Sequence, residues 1–352
     1  MRNPKSLFLL LAGLVVLLVT YVIASHSMVS KIADDPVAPP TKRAEFRISQ
    51  VRDEVRFNDV AILDNTRAWA IGWDGRDPGR VWYSGDGGRS WEVRTWPQQG
   101  YFYDRSIYFI DQQQGWAVGN GNLIIHTTDG GMTWEEAKVP TEGSLHIVHF
   151  ANPQVGYVAA SVGVRDRETD TITNGIEILC TTDGGKNWRT CYRDNQSVEV
   201  FEIVAPSENI AIASLDGGSL LRTEDGGLTW RVVAFGSREF HSVVFNTDGV
   251  GWAVGRGSFY RSLDQGKTWQ RFENLPQEFS NRYWTSIDFA DTQRGMAVGD
   301  NGAIAITTDG GKTWIEYTSD IKESLAKIRL RNKSGIILGS KKVYSIDFNA
   351  LS

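Results

Sequence analysis

Thr307-Thr308-Asp309-Gly310-Gly311-Lys312-Thr313-Trp314 decides the fold, because five other octets copy it. They are SGDGGRSW (84–91), TTDGGMTW (127–134), TTDGGKNW (181–188), TEDGGLTW (223–230) and SLDQGKTW (262–269). The shared pattern is [ST]-x-D-x-G-x-[TSN]-W. Its aspartates Asp86, Asp129, Asp183, Asp225, Asp264 and Asp309 stand 43, 54, 42, 39 and 45 residues apart. Self-similarity at such a period marks a repeat architecture.

A second motif precedes the octets. Ala68-Trp69-Ala70-Ile71-Gly72, GWAVG at 115–119 and 251–255, and GMAVG at 295–299 are close copies, while 156–160 and 209–213 are degenerate ones. Upstream of these, alternating strands end in Phe109, Phe150, Phe245 and Phe289. Each unit therefore reads strand A, strand B, strand C, octet turn, strand D. Short strands with Gly-rich turns in units of this length indicate a β-propeller. The octet explains itself as the C–D turn: Gly accommodates positive φ, the carboxylate accepts N–H groups of its own turn, and the hydroxyl adds a local bond. Trp then supplies bulk between neighbouring sheets. Calcium binding is the competing reading, but the pattern carries one carboxylate where calcium needs six to eight oxygens.

Six octets do not make six blades. Residues 325–330, 334–339 and 342–348 are three more strand-like runs without an octet, and Phe46-Arg47-Ile48-Ser49 is a lone strand ahead of the first unit. We therefore expect an all-β, seven-bladed β-propeller of four-stranded antiparallel blades over 44–352. Its closing blade is shared between N- and C-terminal strands, which removes free sheet edges.

Residues 7–24 (LFLLLAGLVVLLVTYVIA) are uncharged and follow Arg2 and Lys5. Eighteen such residues reach the short end of a membrane span and exceed the usual apolar region of a signal peptide. The basic residues place 1–6 in the cytoplasm and the rest of the chain outside it, on a periplasmic or lumenal side. Two readings compete: an uncleaved signal anchor, or cleavage after Ala24 or near Ser27. Residues 25–43, with Pro36, Pro39 and Pro40, read as a flexible tether.

Composition excludes other classes. Glycine is 36 of 352 residues and tryptophan 13, too much aromatic surface for a disordered chain. The net charge of −5 argues against nucleic-acid binding. His146 and His149 lie three apart in a strand and so face opposite sides, a poor arrangement for one metal. No metal or cofactor is expected. Cys180 and Cys191 bracket the third octet; a disulfide and two reduced core thiols are both open readings.

The octets resemble the Asp-box, or bacterial neuraminidase, repeat. Octets in nearly every unit with GWAVG ahead of them are most similar to the photosystem II stability/assembly factor family and its bacterial relatives. That resemblance covers roughly residues 45–352 and implies a non-enzymatic propeller that binds a membrane protein during assembly. The chain departs from it in carrying an apolar N-terminal segment and no lipidation cysteine. The alternative is a glycan-processing hydrolase of sialidase-like type, since sialidases share the box, and Phe46-Arg47-Ile48-Ser49 is similar to their Phe-Arg-Ile-Pro segment. Tyr283 and several arginines could serve such chemistry. However, Arg47 falls on an outermost strand and no paired carboxylates stand at a recognisable spacing.

The octet turns and A–B loops share one propeller face; the D–A and B–C loops share the other, where binding is expected. Nine tryptophans have repeat-based packing roles, leaving Trp73, Trp82, Trp96 and Trp284. Aromatics and arginines favoured at interfaces gather in the binding-face loops. The candidate partner-binding residues are Trp73, Arg76, Arg80, Trp96, Tyr101, Tyr103, Arg105, Arg165, Arg193, Arg238, His241, Arg282, Tyr283 and Trp284. The expected partner is a membrane protein or membrane-complex subunit, bound by a monomeric propeller.

Overall fold

A computed structural model describes residues 47–348 except 54, 74–79, 95–103, 120, 166–171, 198 and 236–239. The apolar segment 7–24 and the tether 25–43 lie outside the described residues. Among the described residues, no helix is long and apolar enough to cross a membrane.

Among the described residues, twenty-eight strands form seven four-stranded antiparallel sheets, the blades of a propeller. Blade 1 runs from Arg56–Ile62 (strand A) through Ala68–Trp73 and Arg80–Ser84 to Glu92–Arg94 (strand D). Blades 2 to 6 repeat this order, with A strands Asp104–Phe109, Ser144–Phe150, Val200–Val204, Phe240–Phe245 and Trp284–Phe289. Blade 7 takes Leu325–Arg331, Ser334–Gly339 and Lys342–Asp347 from the C-terminal end, and Arg47–Asp53 completes it as the outermost strand. Arg47 pairs with Asp347 and Asp53 with Lys342, so the closing blade is shared as the unassigned strands required.

The two motifs interlock across blades. Trp69 of blade 1 stacks on Phe109, the last residue of strand A in blade 2, at 3.8 Å and 8°. Phe109 meets the octet Trp134 edge-on at 6.0 Å, and the Trp69 indole N–H donates to the Gly130 carbonyl at 2.9 Å. Trp116, Phe150 and Trp188 repeat the arrangement between blades 2 and 3. Each such aromatic contact adds about 1 kcal/mol beyond burial. The rings also explain why strand B opens with glycine: a Cβ on Gly115 would lie 2.6 Å from the Phe109 ring.

All six octets close in the same way. In the second, Thr127 Oγ1 donates to Asp129 Oδ1 at 2.8 Å and accepts the Gly131 N–H at 2.9 Å. The Thr133 N–H and hydroxyl donate to the two carboxylate oxygens at 2.9 and 2.6 Å. The carboxylate is consumed by its own turn, and among the described residues no cluster suited to a metal ion occurs.

Cys180 and Cys191 form a disulfide with Cα atoms 6.0 Å apart. They are not directly opposed. Cys180 faces Arg189, and a register slip between Ile178 and Leu179 leaves Cys191 as the extra residue of strand D. The sulfurs abut Gly227 in the octet of blade 4, so the bond sits at a blade junction.

Candidate functional site: the channel and its mouth

The seven A strands surround the axial channel, and each carries a β-bulge at the same place. Register to strand B slips at Asn58, Arg105, His146, Phe201, His241, Thr285 and Ala326. The residue before each slip is a core or strand-edge position; the bulged residue is re-aimed, as bulges do beside functional sites. The result is a ring at the channel mouth on the face of the D–A and B–C loops. His241 lies between Phe201 at 4.4 Å and Tyr283 at 4.6 Å, joining blades 4, 5 and 6 in an aromatic row. Arg105 is exposed opposite this row, on blade 2. Burial, helped by the Arg105 charge, lowers the His146 pKa to about 4. Burial raises that of Glu199, against the pull of Arg105.

Below the mouth the channel is tied by charge. Lys327, Arg329 and Arg331 alternate along strand A of blade 7 and line a cavity of about 590 Å³ with Asp59, Tyr108, His149, Glu202 and Asp288. Lys327 Nζ lies 2.8 Å from Asp59 Oδ1 on the neighbouring blade. Arg329 reaches across to blade 4, where its Nη2 is 2.5 Å from Glu202 Oε1. Asp59 also accepts the Ser106 hydroxyl and the Ile107 N–H at 2.9 and 3.1 Å, stitching blades 1 and 2. Asp288 accepts the Leu330 N–H at 2.7 Å, stitching blades 6 and 7. Burial pushes Asp59 up, but Lys327 and Arg329 outweigh it and hold the carboxyl below its usual range. For Asp288 burial wins and the pKa rises despite Arg329 and Arg331. This network ties the A strands of blades 1, 2, 4, 6 and 7 to one another.

The candidate residues divide. His241 and Tyr283 are in contact at the mouth, and Arg105 is one of the bulged ring residues. Trp73 ends strand B of blade 1 half-exposed, at 51%, and Arg80 begins the next strand opposite Gly72. Arg193 is spoken for by an ion pair with Glu177, and Arg282 by Glu316 at 2.6 Å. Arg165 ends strand B of blade 3. Trp284 is a correction: it is fully buried, packed between Phe259 at 5.4 Å and Phe279 at 4.9 Å. It precedes the bulge at Thr285 and so points into the blade. Arg76, Trp96, Tyr101, Tyr103 and Arg238 lie outside the described residues. Histidine parity also changes, because the bulge at His146 resets the alternation toward His149. Phe201 and the channel charges escaped the sequence reading; the alternation of Lys327, Arg329 and Arg331 was the available signal.

The profile of the family described as Photosynthesis system II assembly factor YCF48 matches residues 38–195 and again 103–273. The Photosystem II assembly lipoprotein Ycf48 of Synechococcus sp. (strain CC9902) is 26% identical over 282 residues, spanning 78% of this chain and 79% of that one. The Photosystem II stability/assembly factor HCF136, chloroplastic, of Arabidopsis thaliana is 22% identical, over 72% of this chain and 67% of that one. Among solved structures, "YCF48 bound to D1 peptide" superposes with a TM-score of 0.68 at 22% identity, covering 88% of this chain and 99% of the other.

Proposed function

The chain belongs to the photosynthesis system II assembly factor YCF48 family, and from that premise we propose that it is a non-catalytic, membrane-tethered propeller that binds an exposed segment of a photosystem II-type membrane subunit during assembly. The observation that carries this reading is the mouth ring: seven bulges re-aim side chains around one opening, where the bulged Phe201 and His241 and the neighbouring Tyr283 build a continuous aromatic row opposite the exposed Arg105. Such a surface is suited to holding a polypeptide. The solved relative described as YCF48 bound to D1 peptide supports the client class.

The tether is residues 25–43, the anchor residues 7–24, and the propeller works outside the cytoplasm. The Cys180–Cys191 bond is consistent with that oxidising side of the membrane. Catalysis is absent from this reading because the channel carboxylates are engaged by lysine, arginine and backbone N–H groups. To test it, the full chain is cross-linked in its native membrane and the captured subunits identified. Recovery of a D1-type subunit in a complex still being assembled is expected; recovery of none, or turnover of sialosides or β-glucans by the purified chain, would reject it.

A further inference from the structure

Blade 3 differs from its neighbours in the connection between strands B and C. Strand B of this blade runs Gly156–Arg165 and strand C Ile172–Thr181, ten residues each. Strand B is five residues long in blades 2, 4, 5 and 6. The two long strands stay paired out to Arg165 and Ile172. Strand A leaves strand B at Ser144–Ser161, and strand D leaves strand C at Asp194–Ile176. Four residue pairs therefore run past strands A and D as a two-stranded arm about 13 Å long, its first residue Val162 still packed against the blade core. Among the described residues, no strand pairs with 162–165 on the side facing the channel axis.

That inner edge has defined chemistry. A Cβ on Gly143 would lie 2.5 Å from the Ser161 carbonyl oxygen, so this oxygen is aimed at the inner side. The two-residue period of a strand then turns the N–H and C=O groups of Gly163 and Arg165 the same way. A strand edge with no strand beside it among the described residues is a template for one more strand. It lies on the same face as Arg105, His146 and the Phe201–His241–Tyr283 row. The sequence Arg165-Asp166-Arg167-Glu168, which runs on from the end of strand B in the chain, is charged, and charge is a device by which natural edges resist pairing with their own copies.

We propose that the inner edge of this arm, residues 162–165, captures an extended client segment as an added antiparallel or parallel strand and delivers it to the aromatic row at the mouth. This rests on the client-binding reading above and names the backbone that does the binding. Backbone pairing would supply affinity, with the mouth side chains supplying selectivity.

The test uses the full chain and overlapping synthetic peptides tiling the water-exposed segments of D1. In one variant, residues 162–175 are replaced by Asn-Gly. Ser161 and Ile176 are already a cross-strand pair, so a two-residue turn closes blade 3 like its neighbours. The second variant, Gly163→Pro, removes one inward N–H. Both should keep the wild-type melting transition and bind the selected peptide at least about tenfold more weakly, the loss expected for one or two backbone bonds. Hydrogen exchange should show peptide-dependent protection at 163 and 165. Wild-type affinity in the arm-less variant overturns the proposal while leaving client binding standing. Protection confined to 172–175, or concentration-dependent dimers that the Asn-Gly variant abolishes, also overturns it. A wild-type chain that binds no peptide removes the reading on which it rests.

Discussion

Arg329 on the innermost strand of blade 7 meets Glu202 on the innermost strand of blade 4, Nη2 to Oε1 at 2.5 Å, across the channel rather than around the ring. The guanidinium also acts on Asp59 and Asp288, so one cation serves carboxylates from three blades. Burying such a pair is no net gain in itself, but breaking one member leaves a stranded charge. Glu202→Ala should therefore destabilise the fold by about 3 kcal/mol, the low end for a broken buried pair, because two carboxylates remain near Arg329. Glu202→Leu with Arg329→Met should recover much of that loss in urea titrations. A double variant as unstable as the single one would show that the pair is not the cause.

Acid should weaken the ring in two steps. Burial lowers the pKa of His146 and of His149 to about 4, below the ordinary value near 6.5 of the unfolded chain. For a histidine lowered on folding, the unfolded state takes up the proton first, so stability falls as pH drops from about 6.5 to 4. Each group contributes at most about 3 kcal/mol to that fall. The octet aspartates act lower. Hydrogen bonds from the Asn187 side chain and backbone hold Asp183 at about 2, and those from Thr229 do the same for Asp225. Their contribution is present above about pH 4 and is lost between 4 and 2. Melting temperatures of the wild type and His149→Gln across pH 7 to 4 check the first step: the variant should show the shallower slope.

Among the described residues, the outermost strand of blade 7 is the only link between the two ends of the propeller sequence within one sheet. Removing residues 44–50 deletes the pairing from Arg47–Asp347 to Gln50–Tyr344 and exposes the edge of Lys342–Asp347. Loss of a single cooperative transition is expected, together with aggregation from the bared edge. An unchanged calorimetric profile would mean that six blades hold without the closure.

Much of this was legible in the sequence because it repeats. Phe109 and Gly115 recur six residues apart and Asp129 recurs inside every octet, and each recurrence is a packing or turn requirement that the structure meets. The mouth was less legible. A bulge leaves no fixed residue type: Asn58, Arg105, His146, Phe201, His241, Thr285 and Ala326 share a backbone position and no chemistry. Strand alternation counted through such a position puts every earlier residue on the wrong side. Trp284 was hidden differently: the sequence reads it as the end of a D–A loop, whereas strand A of blade 6 begins with it. The cross-channel charges were hidden for another reason. Glu202 and Arg329 are 127 residues apart and belong to blades that only ring closure brings face to face.

Tyr283 and Trp284 are chain neighbours with opposite expected consequences. Trp284 is fully buried against Phe259 and Phe279, and its indole N–H reaches the Phe279 carbonyl at 3.4 Å. Trp284→Ala should cost about 3–5 kcal/mol through the cavity it leaves. Tyr283 contributes its ring to His241 at the mouth and its backbone N–H to Asp300 at 3.0 Å. The N–H bond survives truncation, so Tyr283→Ala should leave the melting temperature within a few degrees while weakening client capture about tenfold, the scale of an interface aromatic. Paired thermal melts and peptide-binding isotherms on the two variants separate the roles. If Tyr283→Ala binds like the wild type, the aromatic row is a structural seal between blades and not a binding surface.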